Sequence, residues 1–143
     1  MTGDSKLFLI DTNIVVYAYD EEDIIKHTKS KELLKQVFNN KIKIAISNQN
    51  LAEFVYVTTR KIKLDSTQTK EIINDIIIHK SFKKINYSTR TIISAIDILN
   101  EFKMPFWDSL LAATMRENGI FNIYTENAKD FKMPWINAVN PLK

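Results

Sequence analysis

The stretch LFLIDTNIVVYAYD, Leu7 to Asp20, decides how this chain is read. It is an apolar run interrupted by Asp11-Thr12-Asn13, and a carboxylate in apolar surroundings is costly unless it is paired, hydrogen-bonded or bound to a metal. The segment KLFLID, Lys6 to Asp11, reads as a short buried strand that ends in this polar turn. Asp11 then either caps the helix that follows or belongs to a site at the strand end.

Moving outward, KIKIAIS (Lys41 to Ser47) is a second strand rich in β-branched residues, KKIN (Lys83 to Asn86) a third, and NIYTE (Asn122 to Glu126) a fourth, placed after the helix-stopping Gly119. Helical periods fill the gaps. In Thr28 to Phe38, Leu33, Leu34, Val37 and Phe38 share a face; in Ser66 to His79, Ile72, Ile73, Ile76 and Ile77 recur behind a Ser66 cap. In Ser88 to Lys103 the set is Ile92, Ala95, Ile96, Leu99 and Phe102, and a last helix runs from Trp107 to Asn118 after Pro105. Short apolar strands alternating with amphipathic helices predict an α/β fold, a three-layer α/β/α arrangement around a mostly parallel sheet of four to five strands. No repeat, linker or composition shift divides the chain, so one domain over residues 1–143 is expected.

Composition agrees with a globular chain: 45% hydrophobic and 26% charged residues, with two Gly and three Pro, leave few breakers and little case for disorder. The formal charge of +3 favours a polyanionic partner only weakly. The absence of cysteine removes disulfides, thiolate catalysis and cysteine-type zinc sites together. The apolar runs fall short of the ~18 residues of a membrane span, and MTGDSK lacks a basic region followed by an apolar one. A soluble, cytoplasmic protein with no membrane association is the expectation.

In open parallel sheets ligands bind beyond the carboxyl ends of the strands. Asp11-Thr12-Asn13, Ser47-Asn48-Gln49 and Thr125-Glu126-Asn127 each follow a strand and should lie along one edge. Glu53, in NLAEFVYV, and Asp108, in WDSLLAA, are acids embedded in apolar helix starts that should converge on the same edge. Taken singly, Asp11 and Asp108 are better read as helix caps, Glu53 and Asp130 as ordinary surface acids, and Ser47, Thr125 and Asn13 as turn residues. Taken together they are harder to dismiss. Two unit charges ~4 Å apart at an effective dielectric of ~20 repel by about 4 kcal/mol, so several ionised carboxylates in one cleft require a neutralising cation. Oxygen ligands without Cys or His suit Mg²⁺ or Mn²⁺, which can polarise a phosphodiester and acidify water.

The sequence at this point resembles the PIN-domain ribonucleases, especially the small VapC-like toxins of toxin–antitoxin pairs. LIDTNIVVYA resembles the family's first motif, SNQNLAEFVYV its second, FWDSLLAATMRENG its third and IYTENAKDF its last, in the family's order across nearly the whole chain. The resemblance implies that Asp11, Glu53, Asp108 and Asp130 are acidic catalytic and metal-site residues. Thr12, Asn13, Ser47, Thr125 and Asn127 would be supporting polar positions, with Glu126 a competing fourth acid. It further implies a Mg²⁺ or Mn²⁺ cofactor, an RNA substrate cut to a 3′-hydroxyl and a 5′-phosphate, a cognate antitoxin, and a homodimer. Apolar surface around Tyr17 to Ile25 is the natural place for either protein contact.

For holding RNA, Arg116 and Lys129 stand nearest the motifs. The groups Lys26, Lys29, Lys31, Lys35, Lys41 and Lys43, and Arg60, Lys61 and Lys63, read first as solvated faces. His27 and His79 read as surface or hydrogen-bonded residues. Tyr17, Tyr19, Phe54, Tyr56, Phe106 and Trp107 read as core or interface, with base stacking on one of them left open. Rival activities fare worse. A haloacid-dehalogenase phosphatase needs a second Asp where Asn13 stands, and a receiver domain needs an acidic pair and a later Asp that LFLIDT and KKINYS do not offer. A housekeeping RNA-processing nuclease and a non-catalytic RNA- or protein-binding module are the remaining alternatives.

Overall fold

A computed structural model describes residues 6–143. Five strands form one all-parallel sheet in the order β3-β2-β1-β4-β5. They are β1 (Phe8–Ile10), β2 (Ile44–Ser47), β3 (Phe82–Ile85), β4 (Asn122–Tyr124) and β5 (Asn137–Val139). Six α-helices connect them: α1 (Thr12–Tyr17), α2 (Ile24–Phe38), α3 (Asn48–Val57), α4 (Ser66–Ile78), α5 (Thr89–Phe102) and α6 (Phe106–Glu117). A π-turn, Thr58–Ile62, extends α3, and a 3₁₀ turn, Ala128–Asp130, follows β4. None of the described helices is long and apolar enough to cross a membrane.

Successive side chains of a strand point to opposite faces, and both faces here are buried. Leu9, Ala45, Ile85 and Ile123 face α5 and α6, where Ala95, Ile98, Leu110 and Met115 complete one half of the core. Ile10, Ile44, Ile46 and Phe82 face the other way, onto Ile14, Leu34, Val37, Phe54 and Ile76 from the first four helices. The three-layer expectation is met. The sheet runs outward from β1 in both directions, to β2 and β3 on one side and to β4 and β5 on the other. The β1/β4 boundary is therefore the topological switch point, where a crevice opens beyond the carboxyl ends.

Several local expectations are corrected. The third strand begins at Phe82 instead of Lys83, because Phe82 and Ile85 are the buried residues and Lys83 and Lys84 face solvent. The cap of α4 is Asp65, not Ser66: Asp65 is extended, and its backbone N–H donates to Gln68 Oε1 at 3.3 Å. Ile77 of that helix is exposed. On α5 the buried stripe is Thr91, Ala95 and Ile98, while Ile92 and Ile96, expected inside, are exposed beside Ile93. Isoleucines at 92, 93, 96 and 98 give this helix more than one apolar stripe. On the buried stripe the Thr91 hydroxyl donates to Glu117 Oε1 at 2.6 Å, joining α5 to α6. Both histidines are engaged, His27 Nδ1 with the Tyr17 carbonyl at 2.9 Å and His79 Nε2 with that of Phe38 at 3.0 Å.

Candidate active site

Asp11 follows β1 directly and caps α1 from an extended conformation. Its Oδ1 accepts the Thr12 backbone N–H at 2.8 Å, and its Oδ2 accepts the Thr125 hydroxyl at 2.8 Å, which fastens the ends of β1 and β4 together. Burial pushes the Asp11 carboxyl above its ordinary range, and these two donors oppose the shift without cancelling it.

Glu53 comes from α3 and is held by a relay of side chains. Ser47 caps that helix, and Asn50 accepts the Ser47 backbone N–H at 3.1 Å and its hydroxyl at 2.7 Å on one oxygen. Asn50 Nδ2 then donates to Thr12 Oγ1 at 3.0 Å, and the Thr12 hydroxyl donates to Glu53 Oε1 at 2.8 Å. Ser47, Asn50 and Thr12 are all buried. A buried polar chain of this kind is stabilising only when each member is satisfied, so it fixes the carboxylate's orientation as well as the helix start.

Asp108 lies in the first turn of α6, where the helix dipole favours negative charge. Its pKa is nevertheless pushed up to about 6, by burial first and then by the charges of Asp11, Asp130 and Glu53. Asp11, Thr12, Asn13, Glu53, Asp108 and Asn127 line one cavity of about 280 Å³, together with Gln49 and Tyr56. Among the described residues no three His, Cys, Asp or Glu side chains are drawn into a closed metal cage. The cavity's polar groups are carboxylates, side-chain amides and two hydroxyls, with no imidazole or thiolate, a set that fits Mg²⁺ or Mn²⁺.

The remaining candidates divide. Asp130 sits exposed in the 3₁₀ turn, outside the cavity lining but close enough to act on Asp108, with the exposed Lys129 beside it. Ser47 and Thr125 stand one hydrogen bond behind the lining residues, and the Asn127 N–H donates to Thr125 Oγ1 at 3.1 Å. Glu126 faces elsewhere: it pairs with Lys26 and accepts the Tyr17 hydroxyl at 2.7 Å. Burial alone would raise its pKa, but these two donors outweigh burial and hold it below the usual carboxylate range. Arg116 is in the last turn of α6, about 12 Å along the axis from Asp108, with its guanidinium 5.0 Å from the centre of the Trp135 ring. Lys41 and Lys43 border a different groove, with Lys6 and Lys83, at the amino ends of the strands.

Asn50, which links Ser47 to Thr12 behind the candidate site, is the residue that sequence reading did not single out. The Ser47-x-x-Asn50 spacing at a helix start was the available signal, since it is the spacing of a reciprocal cap.

Comparison with known proteins agrees with this architecture. The PIN domain family profile matches residues 8–133. Among solved structures, a toxin–antitoxin complex from Klebsiella pneumoniae is 21% identical, with a TM-score of 0.66 over 94% of this chain and 97% of that one. VapC20 of Mycobacterium tuberculosis, a sarcin–ricin-loop-cleaving toxin, is 18% identical, with a TM-score of 0.66 over 85% of this chain and 90% of its own. VapBC2 of Rickettsia felis, solved on a DNA fragment from its promoter, is 21% identical, with a TM-score of 0.66 over 94% and 98%. No curated protein matches the chain.

Proposed function

The chain belongs to the PIN-domain family, and from that premise we propose that it is a Mg²⁺- or Mn²⁺-dependent endoribonuclease, the toxin of a toxin–antitoxin pair. The observation that carries the reading is the meeting of Asp11, Glu53 and Asp108, from three separate segments, in one oxygen-lined cavity at the sheet's switch point. A divalent ion bound there supplies charge neutralisation and Lewis acidity for hydrolysis of a phosphodiester.

The chain's own residues prepare that reaction. Asp11 and Glu53 are held in fixed orientation by Thr125 and Thr12. Burial and the neighbouring carboxylates push the Asp108 pKa up to about 6, and Asp108, ionised, would be a ligand for the cation. Asn13 and Asn127 offer amide N–H groups to phosphate oxygens at the cavity mouth. Asp130 adds negative charge at the rim for a second ion or for a cation delivered with the substrate. Water adds to phosphorus and the bond to the 3′ oxygen breaks, leaving a 3′-hydroxyl and a 5′-phosphate.

An antitoxin and a second copy of the chain are the proposed protein partners, supported by the shared fold of the toxin–antitoxin complexes. Ile24 and Ile25, at the start of α2, are exposed and available to either.

The test is cleavage of end-labelled single-stranded and structured RNAs in Mn²⁺, Mg²⁺ or EDTA, comparing the wild type with Asp108→Asn prepared identically. Metal-dependent cutting that disappears in the variant supports the proposal. Equal cutting by both, or none by either together with no Mn²⁺ binding, overturns it.

A further inference from the structure

A second cavity, of about 460 Å³, adjoins the acid cavity and shares Gln49, Glu53 and Tyr56 with it. Its other walls are Asn48 on α3, Asn86 and Tyr87 after β3, and Trp107 at the start of α6. Trp107 is 59% exposed and Tyr56 61% exposed, large aromatic surfaces to leave in water. The Trp107 ring meets Phe106 edge-on, with centroids 5.2 Å apart. Arg60 places its guanidinium 5.0 Å from the centre of the Tyr56 ring.

Gln49 forms the shared wall. Its Nε2 donates to the Trp107 carbonyl at 3.1 Å, tying α3 to α6, while its Oε1 is buried with no donor among the described residues. A buried acceptor without a donor is uncommon in a folded chain and marks a place where a donor is missing.

We propose that this groove is a nucleobase subsite, taking one unpaired base of single-stranded RNA next to the phosphodiester held in the acid cavity. Trp107 and Tyr87 supply the stacking faces, and the side-chain amides of Asn48 and Asn86 serve the base edge. Every base has a flat π-face and an edge of mixed donors and acceptors, and an amide carries both. The combination of exposed aromatic faces with amide groups suits a base, whose ring stacks and whose edge hydrogen-bonds, better than an aliphatic side chain, which would leave the amides unmatched. A base can enter only when splayed out of a stack, so the subsite selects unpaired RNA. The neighbouring Asp108, one residue from Trp107, links the bound base to the position of the cut. The subsite rests on the nuclease reading for its substrate, though not for its ability to bind a base.

The chain has two tryptophans, so Trp135→Phe leaves Trp107 as the only reporter. This protein is titrated with AMP, GMP, CMP and UMP, with inorganic phosphate, and with a short peptide containing Phe and Leu. Saturable quenching by nucleotides, unequal among the four bases and absent with phosphate, is expected, and Asn86→Ala should flatten the inequality. In cleavage assays Trp107→Ala should raise KM about ten-fold, with kcat within about two-fold, and Trp107→Tyr should restore it. Circular dichroism checks that the exposed position leaves the fold intact. Quenching by nucleotides with neither RNA cleavage nor Mn²⁺ binding by the wild type supports the subsite and removes the nuclease reading. Cleavage with no quenching and an unchanged KM overturns the subsite and keeps the nuclease. Quenching by the peptide alone overturns it in favour of a protein-docking groove.

Discussion

The Thr12 hydroxyl donates to Glu53 Oε1 at 2.8 Å, joining residues 41 positions apart and coupling the end of β1 to α3. Thr12 in turn accepts from Asn50, so one buried hydroxyl transmits the position of the α3 cap to a carboxylate of the site. Asn50→Ala should therefore act on both stability and function. Leaving its buried partners unsatisfied predicts a loss of ~1–3 kcal/mol in urea unfolding. Weaker Mn²⁺ binding by calorimetry should accompany it, whereas a loss of stability with unchanged metal affinity would reduce Asn50 to a cap.

Asp108 gives a pH prediction with a definite sign. Its folded-state pKa of about 6 lies above its ordinary 3.8. Folding thus favours the protonated form: the contribution is complete below the unfolded value and is lost as pH rises through about 6. In EDTA the wild type should lose about 1–3 kcal/mol between pH 4 and pH 7, the lower end allowing for solvent screening at a half-buried site. Asp108→Asn should flatten this slope and be the more stable protein at pH 8. Adding Mn²⁺ should reverse that order, and thermal unfolding at two pH values decides it.

Glu126 and Asp130 are separated by what they face. Glu126→Gln breaks a partly exposed pair with Lys26 and should cost under about 1 kcal/mol while cleavage continues. Asp130→Asn removes a charge that acts on Asp108 and should weaken Mn²⁺ binding. Parallel titrations of the two variants test this, and a larger metal defect in Glu126→Gln would reverse the assignment.

Ile24→Asp combined with Ile25→Asp should leave the fold unchanged, because both side chains are already in solvent. Self-association, read by light scattering, and capture of an antitoxin should both fall. Dimers and complexes that persist would place the interface elsewhere, the exposed Ile92, Ile93 and Ile96 face of α5 being the next surface to probe.

The sequence by itself determined the alternation of short apolar strands and amphipathic helices, and with it the parallel sheet and the edge on which a site should form. It also marked Asp11, Glu53 and Asp108, because an acid inside an apolar run needs a reason that local structure alone does not give. These signals are local: periodicity and isolated charge are readable within a few residues. Tertiary structure decided everything that depends on a distant partner. The buried stripe of α5 carries Thr91, whose partner Glu117 lies 26 positions away. Glu126, a candidate acid in the sequence, is paired in the fold with Lys26, 100 positions away. The role of Asn50 exists only because folding brings Thr12 within reach of its amide. Hydrogen bonds and ion pairs act over a few ångströms of space regardless of separation along the chain, so which polar groups they match is settled only when the sheet has assembled.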